Sequence, residues 1–250
     1  MVQSKAAFPS YQEDFLDEVI PLPTFSSLLQ QDVLVKTGDP SFDAETGTWR
    51  EFTHFSVAMN KQRRQPICIA LNIDQGLIDK TLNRLDNFFI DEAVGEEFQL
   101  DDKYYKDRNG VVNYWDKGHM APHQSARWGA TYEEAKSARD DSYSMTNVCL
   151  QHRKFNGDEW LKVENWVANL QLNKDGKVSV FSGPIYGSSY GVTPSYIHPP
   201  GRPEAEVPTA FFKIVSFMGK DGTLSTLAFI ALQDTEALEQ ATGEGTVYLV

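Results

Sequence analysis

The sequence predicts one α+β domain over residues 1–250 with a mostly antiparallel central sheet. Three observations carry the prediction. Alternating apolar and polar residues at His54–Met59 give way to a basic turn, Lys61-Gln62-Arg63-Arg64, and then to a second apolar run, Pro66–Asn72. Two segments of helical composition follow, at 131–141 and 156–170. Three further runs, Val178–Phe181, Ala210–Phe217 and Leu224–Leu232, are alternating or continuously apolar, like core strands.

Residues 1–50 contain Pro9, Pro21, Pro23 and Pro40 and few periodic stretches, so they read as an extended wrap over a core at 51–250. Residues 76–110 are polar and acidic and read as irregular. In Thr131–Asp141, Thr131 is the expected N-cap and Glu134 stands at the capping-box position. Ser142–Cys149 reads as a strand. Asn156 is a good helix N-cap, with Asp158 and Glu159 in the first turn. Trp160, Leu161, Val163, Trp166, Val167 and Leu170 then give that helix a buried face. Residues 186–208 are rich in Gly, Pro and Ser and read as a long surface loop.

The composition is that of a water-soluble globular chain, with 41% hydrophobic and 23% charged residues. No run of about 18 apolar residues is present, which argues against a spanning helix. The first residues lack an apolar core of signal-peptide length, so the expected location is the cytoplasm, or export by a dedicated system. Cys68 and Cys149 lie in apolar runs without metal-site spacing and read as buried thiols. The net charge of −12 opposes binding to a polyanion, because such binding draws on released counterions. Lys61–Arg64, Lys103–Arg108 and Arg153-Lys154 are either solvated loops or the walls of a local basic groove.

The chemistry is concentrated in residues 115–164, which contain WDKGHMAP (Trp115–Pro122), SMTNVCLQ (Ser144–Gln151) and FNGDEWLKVE (Phe155–Glu164). His119 can act as a general base, since an imidazole titrates near neutrality. Asn156 and Glu164 offer the oxygen ligands preferred by a hard cation such as Mg²⁺. Each residue also has a plainer reading: a structural histidine in a turn, a helix N-cap, a solvated helix glutamate. His123 and His152 read as surface groups or groups behind the site. Arg84 and Arg127 could contact phosphate or form ordinary ion pairs.

These motifs resemble the DNA/RNA non-specific endonucleases of the ββα-metal class. The D-R-G-H signature appears as Asp116-Lys117-Gly118-His119, and T-N-x-x-x-Q as Thr146–Gln151, followed by Asn156 and a glutamate eight residues later. The similarity extends to residues 54–74, to SGPIYG (Ser182–Gly187), to VPTAFFKIV (Val207–Val215) and to YQEDFLDEVIPLP, which is like the lead-in of bacterial members. The resemblance implies a ββα-metal nuclease fold with helices and long loops around the sheet. It implies His119 as general base and one Mg²⁺, replaceable by Mn²⁺, held directly by Asn156 and through water by Glu164. Lys117 would assist catalysis and, with Arg84 and Arg127, bind phosphate. Asn147 would help position the site, Asp116 would anchor the loop, and Gly118 would allow a tight backbone. The implied partner is nucleic acid, both DNA and RNA, without a membrane. A homodimer, and an inhibitor or immunity protein for a toxin, are compatible protein partners.

Three departures from the pattern stand out. Lys117 replaces the signature arginine and loses its two-pronged geometry. Ala168 stands where some members carry an arginine one turn past the glutamate. The closing TVYLV (Thr246–Val250) has no clear match to the family's last helix and strand. Two other readings therefore stand beside the non-specific endonuclease. One is a catalytically weak nuclease fold used to bind proteins; the other is a nuclease restricted to a particular RNA or short oligonucleotide.

Overall fold

A computed structural model describes residues 7–106, 113–170, 173–188, 190–234 and 247–249; the side chains of 173–175 and 247–249 are outside this description. Its centre is a seven-stranded sheet ordered β1 (Trp49–Phe52), β2 (Phe55–Asn60), β3 (Gln65–Asp74), β6 (Asn173–Ile185), β9 (Ala210–Gly219), β10 (Leu224–Leu232) and β11 (Val247–Leu249). Every neighbouring pair is antiparallel. The fold is therefore α+β with a large antiparallel sheet, as the strand pattern predicts.

Turn chemistry sets the pairing. Between β1 and β2 only Thr53 and His54 turn the chain, and His54 accepts a left-handed φ of 68°. Its ring stacks on Trp128 at 3.6 Å, which holds that strained residue in place. Between β2 and β3 the Asn60 Oδ1 accepts the amides of Gln62 and Arg63, and Arg64 takes φ 59°.

The sheet is covered on both faces. One face presents Val57, Ile69, Leu71, Val180, Phe211 and Val215, packed beneath Met120, Cys149, Phe155 and Trp160. The other presents Ala58, Cys68, Ala70 and Phe181, packed against Tyr11, Ile20, Leu22 and Phe25. Tyr11, Ile20, Leu22 and Phe25 of the proline-rich N-terminal segment thus lie on the face opposite the 115–164 motifs, while Leu34 and Phe42 join the core cluster on the motif face. Cys68 and Cys149 are both buried free thiols.

On the motif face, β4 (Trp115–His119) pairs antiparallel with β5 (Val148–His152), and α4 (Arg153–Gly157) and α5 (Glu159–Ala168) follow directly. Between β4 and β5 run α2 (His123–Ala126) and α3 (Tyr132–Asp141). Thr131 caps α3 by accepting the Glu134 amide, as predicted, while Glu134 accepts the amide of Ala130 and the Nε2 of His54.

Several local expectations need correction. Ser142–Cys149 is not one strand, because Ser144 accepts the Thr146 amide and starts a 3₁₀ turn at Met145–Asn147 before β5. The 186–208 loop contains a small ribbon, β7 (Ser195–Ile197) and β8 (Ala205–Val207). Residues 76–106 are irregular but carry short 3₁₀ turns at 75–77, 96–98 and 102–104. The last described residues form a strand, β11, on the edge of β10; residues 235–246 lie outside the described residues. Residues 107–108 of the second basic cluster lie outside them as well. Among the described residues no helix is long and apolar enough to cross a membrane.

Candidate active site

The β4–β5 ladder sets Gly118 opposite Cys149 and His119 opposite Val148 at the end of the pair. Gly118 is required by packing. A Cβ there would lie 1.8 Å from the Gln151 Oε1, so the neighbouring side chain occupies the space a methyl group would need. The chain beyond His119 is fixed by Asn147, which is fully buried. Its Oδ1 accepts the Ala121 amide at 2.8 Å, and its Nδ2 donates to the carbonyls of Ala121 and Ser142 at 2.8 and 2.7 Å. Two of these three bonds hold the segment that follows His119, and the third ties it to the end of α3.

Asn156 is not a helix N-cap. The His152 ring caps α4 by accepting the Lys154 amide, and Asn156 lies inside that helix, two residues before the chain breaks at Asp158 and restarts as α5. Its side chain is therefore free of capping duty. The Asn156 Nδ2 donates to the Asp116 Oδ2 at 3.1 Å, which ties α4 to β4 and leaves Oδ1 as an available ligand. Asp116 also faces the Arg153 Nε at 3.6 Å.

His119, Asn156 and Glu164 line one cleft of about 260 Å³, together with Arg84, Lys117 and His123. Lys117 reaches the Asp102 Oδ1 at 2.6 Å and lies over the Phe88 ring at 4.6 Å. Arg84 is exposed at the cleft. Arg127 is partly buried outside it and donates to the Leu82 carbonyl at 2.5 Å, so it holds the 82–84 segment from behind. His123 is partly buried and His152 almost fully buried, the latter stacked on Tyr114 at 5.8 Å; neither is a surface group.

The His119 ring is held by packing: Phe88 at 5.1 Å and Tyr143 edge-on at 5.3 Å. Its Nε2 is buried without a hydrogen-bond partner among the described residues. Burial, reinforced by the positive neighbours His123, Arg84 and Lys117, pushes the His119 pKa down to about 3. Burial and the nearby Arg127 and Arg84 likewise lower His123 to about 4. Both rings are therefore neutral at pH 7. Glu164 moves the other way, raised to about 7 by burial, with Lys213 and the Trp160 N–H acting against the rise.

Lys213 was not among the residues singled out from the sequence. It is only 2% exposed, in the middle of the apolar face of β9 between Phe211 and Val215, with its ammonium 4.4 Å over the Trp160 ring. Burial lowers its pKa and the Glu164 charge opposes that shift. The signal was present: strict alternation along AFFKIV (Ala210–Val215) places the lysine on the core side. Trp160 links this charge to the site, since its indole N–H donates to the His119 carbonyl at 3.3 Å.

The donor set suits a hard cation. Asn156 presents an oriented amide oxygen and Glu164 a carboxylate whose own burial disfavours its charge, which a bound cation would offset. No group of three or more His, Cys, Asp or Glu able to hold a metal occurs among the described residues, so the donors do not form a zinc-type cage.

The family model for DNA/RNA non-specific endonucleases matches residues 36–248, and the chain belongs to that family. It is similar to an uncharacterised protein of Sinorhizobium fredii, 28% identical over 92% of this chain and 33% of that protein. It is also similar to human mitochondrial endonuclease G, 27% identical over 46% of this chain and 38% of that protein. The chain thus spans well under half the length of these curated relatives. Among solved structures it resembles the complex of EndoG with its inhibitor EndoGI, with a TM-score of 0.57, 19% identity and coverage of 75% and 74% of the two chains. That likeness shows the fold, that of a ββα-metal nuclease.

Proposed function

We propose that the chain acts as one metal-dependent nuclease unit that hydrolyses phosphodiester bonds in both DNA and RNA. The observation that carries this reading is the convergence of His119, Asn156 and Glu164 from β4, α4 and α5 on a single cleft. Family membership supports the reaction class.

His119 is the general base. It is neutral at pH 7, and with Nε2 buried, Nδ1 is the nitrogen that takes the proton as a water attacks phosphorus. The P–O bond to the leaving oxygen breaks in the same displacement. Because water attacks and no ribose hydroxyl takes part, deoxyribose and ribose strands are both substrates. Asn156 would hold Mg²⁺, or Mn²⁺ in its place, through Oδ1, and Glu164 would hold the ion through its waters. When bound, the cation supplies charge compensation at the scissile phosphate and the leaving oxygen.

Arg84 and Lys117 draw phosphate oxygens into the cleft, and Lys117 must exchange Asp102 for the substrate to do so. Arg127 supports the Arg84 segment from behind, while Asn147 and Asp116 position His119 and Asn156. Lys213 and Trp160 brace Glu164 and the His119 backbone from the core side. The test is single-turnover cleavage of one DNA and one RNA oligonucleotide with Mg²⁺. Loss of cleavage in both Asn156→Ala and His119→Ala, from folded protein, supports the assignment; full activity in either removes that residue from it.

A further inference from the structure

The net charge of −12 is unevenly placed. Residues 7–49 carry eight acidic side chains against one basic, Lys36, a net of −7. Within this segment residues 11–25 lie on the sheet face opposite the catalytic cleft. With Lys5 and Arg50 included, residues 1–50 carry a net of −5, against −1 for residues 115–164.

The wrap covers its sheet face incompletely. Two clefts of about 500 and 540 Å³ adjoin there, sharing Pro23 and Phe25 as a common wall. The first is floored by Ile67, Phe181, Phe212 and Ile214 and flanked by Leu29. The second is rimmed by Glu13, Asp43 and Glu45, with Trp49 and Val35 in its wall. Around them Leu28 is 79% and Val35 51% exposed. Arg63, at the apolar cleft, does not reverse the local charge, because Glu206 at 2.9 Å and Asp32 at 3.7 Å face it.

An apolar slot joined to an acidic slot repels phosphate groups, which excludes nucleic acid and anionic lipid as occupants. It matches an extended polypeptide whose apolar side chains fill the first cleft and whose lysines or arginines lie along the second. We propose that this face is a docking surface for a cationic, amphipathic polypeptide segment. The sheet separates it from the catalytic cleft, so a partner held here leaves the cleft open to substrate. The inference does not depend on the nuclease reading.

The probe is a fluorescein-labelled peptide of about a dozen residues alternating Phe or Leu with Lys, followed by anisotropy on the full chain. The expected result is saturable binding that weakens as salt rises from about 50 to 300 mM. Glu45→Lys and Leu29→Ser, both at accessible positions, should each weaken it by roughly tenfold, while Glu164→Gln leaves it unchanged. Four outcomes would overturn the proposal. They are no binding, equal binding of an all-lysine peptide, competition by single-stranded DNA, or a Leu29-dependent dimer in sedimentation that blocks the peptide. The last would assign the face to a second copy of the chain.

Discussion

Replacing Glu164 by glutamine should make the metal-free protein more stable while abolishing its activity. Glutamine has the shape of the protonated carboxyl but cannot ionise. In the folded protein burial raises the Glu164 pKa from 4.5 to about 7, so the folded state keeps its proton where the unfolded chain has lost it. Stability therefore falls as pH rises from about 4.5 to about 7 and stays reduced above that. The shift of roughly 2.5 units at 1.36 kcal/mol each amounts to about 3 kcal/mol at pH 8 and less than about 1 kcal/mol at pH 5. It is an upper value, because the substitution also deprives Lys213 of its counter-charge. Urea unfolding in EDTA at both pH values measures the difference between the two proteins. A Mg²⁺ concentration of about 100 times Kd should return about 2.7 kcal/mol to the wild type and less to the variant. A Glu164→Gln protein no more stable than wild type at pH 8, or equally stabilised at pH 5 and pH 8, would refute the view that this carboxylate is held at a cost for the cation.

The other predictions concern the base, the core lysine and the histidines. His119→Ala should lower turnover by about two to four orders of magnitude with an unchanged unfolding midpoint; retained turnover would remove the base. Since burial and positive neighbours hold His119 near 3, the pH–rate profile should show no inflection near 6.5, and a step there would contradict the ring's neutral state. Lys213→Met should lower kcat while leaving KM nearly unchanged, because the lysine lies behind Trp160 and outside the cleft; a rise in KM alone would show direct contact with substrate. His54, His119 and His123 all have lowered pKa values in the folded state, so the unfolded chain binds protons first. Stability should fall as pH drops below about 6.5, by up to about 1.4 kcal/mol per pH unit per histidine, and His54→Phe should flatten the slope in urea titrations at pH 4–7.

Much of the fold was legible because its strands obey simple rules. The hairpin at 54–74 announced itself by alternation around a basic turn, and Thr131 with Glu134 marked the start of α3. The cleft was legible because its residues other than Arg84 fall within one contiguous stretch, 117–164. Failures came where a side chain served a partner distant in sequence. Asn156 looked like a cap, but Asp116, forty residues earlier, takes its amide and His152 does the capping. His152 read either as a surface group or as one behind the site, and Tyr114 and Trp115 cover it. Lys213 broke an apolar run and was passed over, although a lysine at a core position is costly enough to mark a site. The acidity, puzzling as a total, becomes intelligible once residues 1–50 are seen to carry −5 of it and residues 115–164 only −1.

The most direct measurement is cleavage of plasmid DNA and total RNA at low salt with Mg²⁺, beside an EDTA control and the His119→Ala protein. The account predicts that both polymers are cut, that EDTA stops both reactions, and that His119→Ala is deficient on both. Intact polymers after incubation with folded wild-type protein and Mg²⁺, or cleavage indifferent to EDTA and to His119, would contradict it.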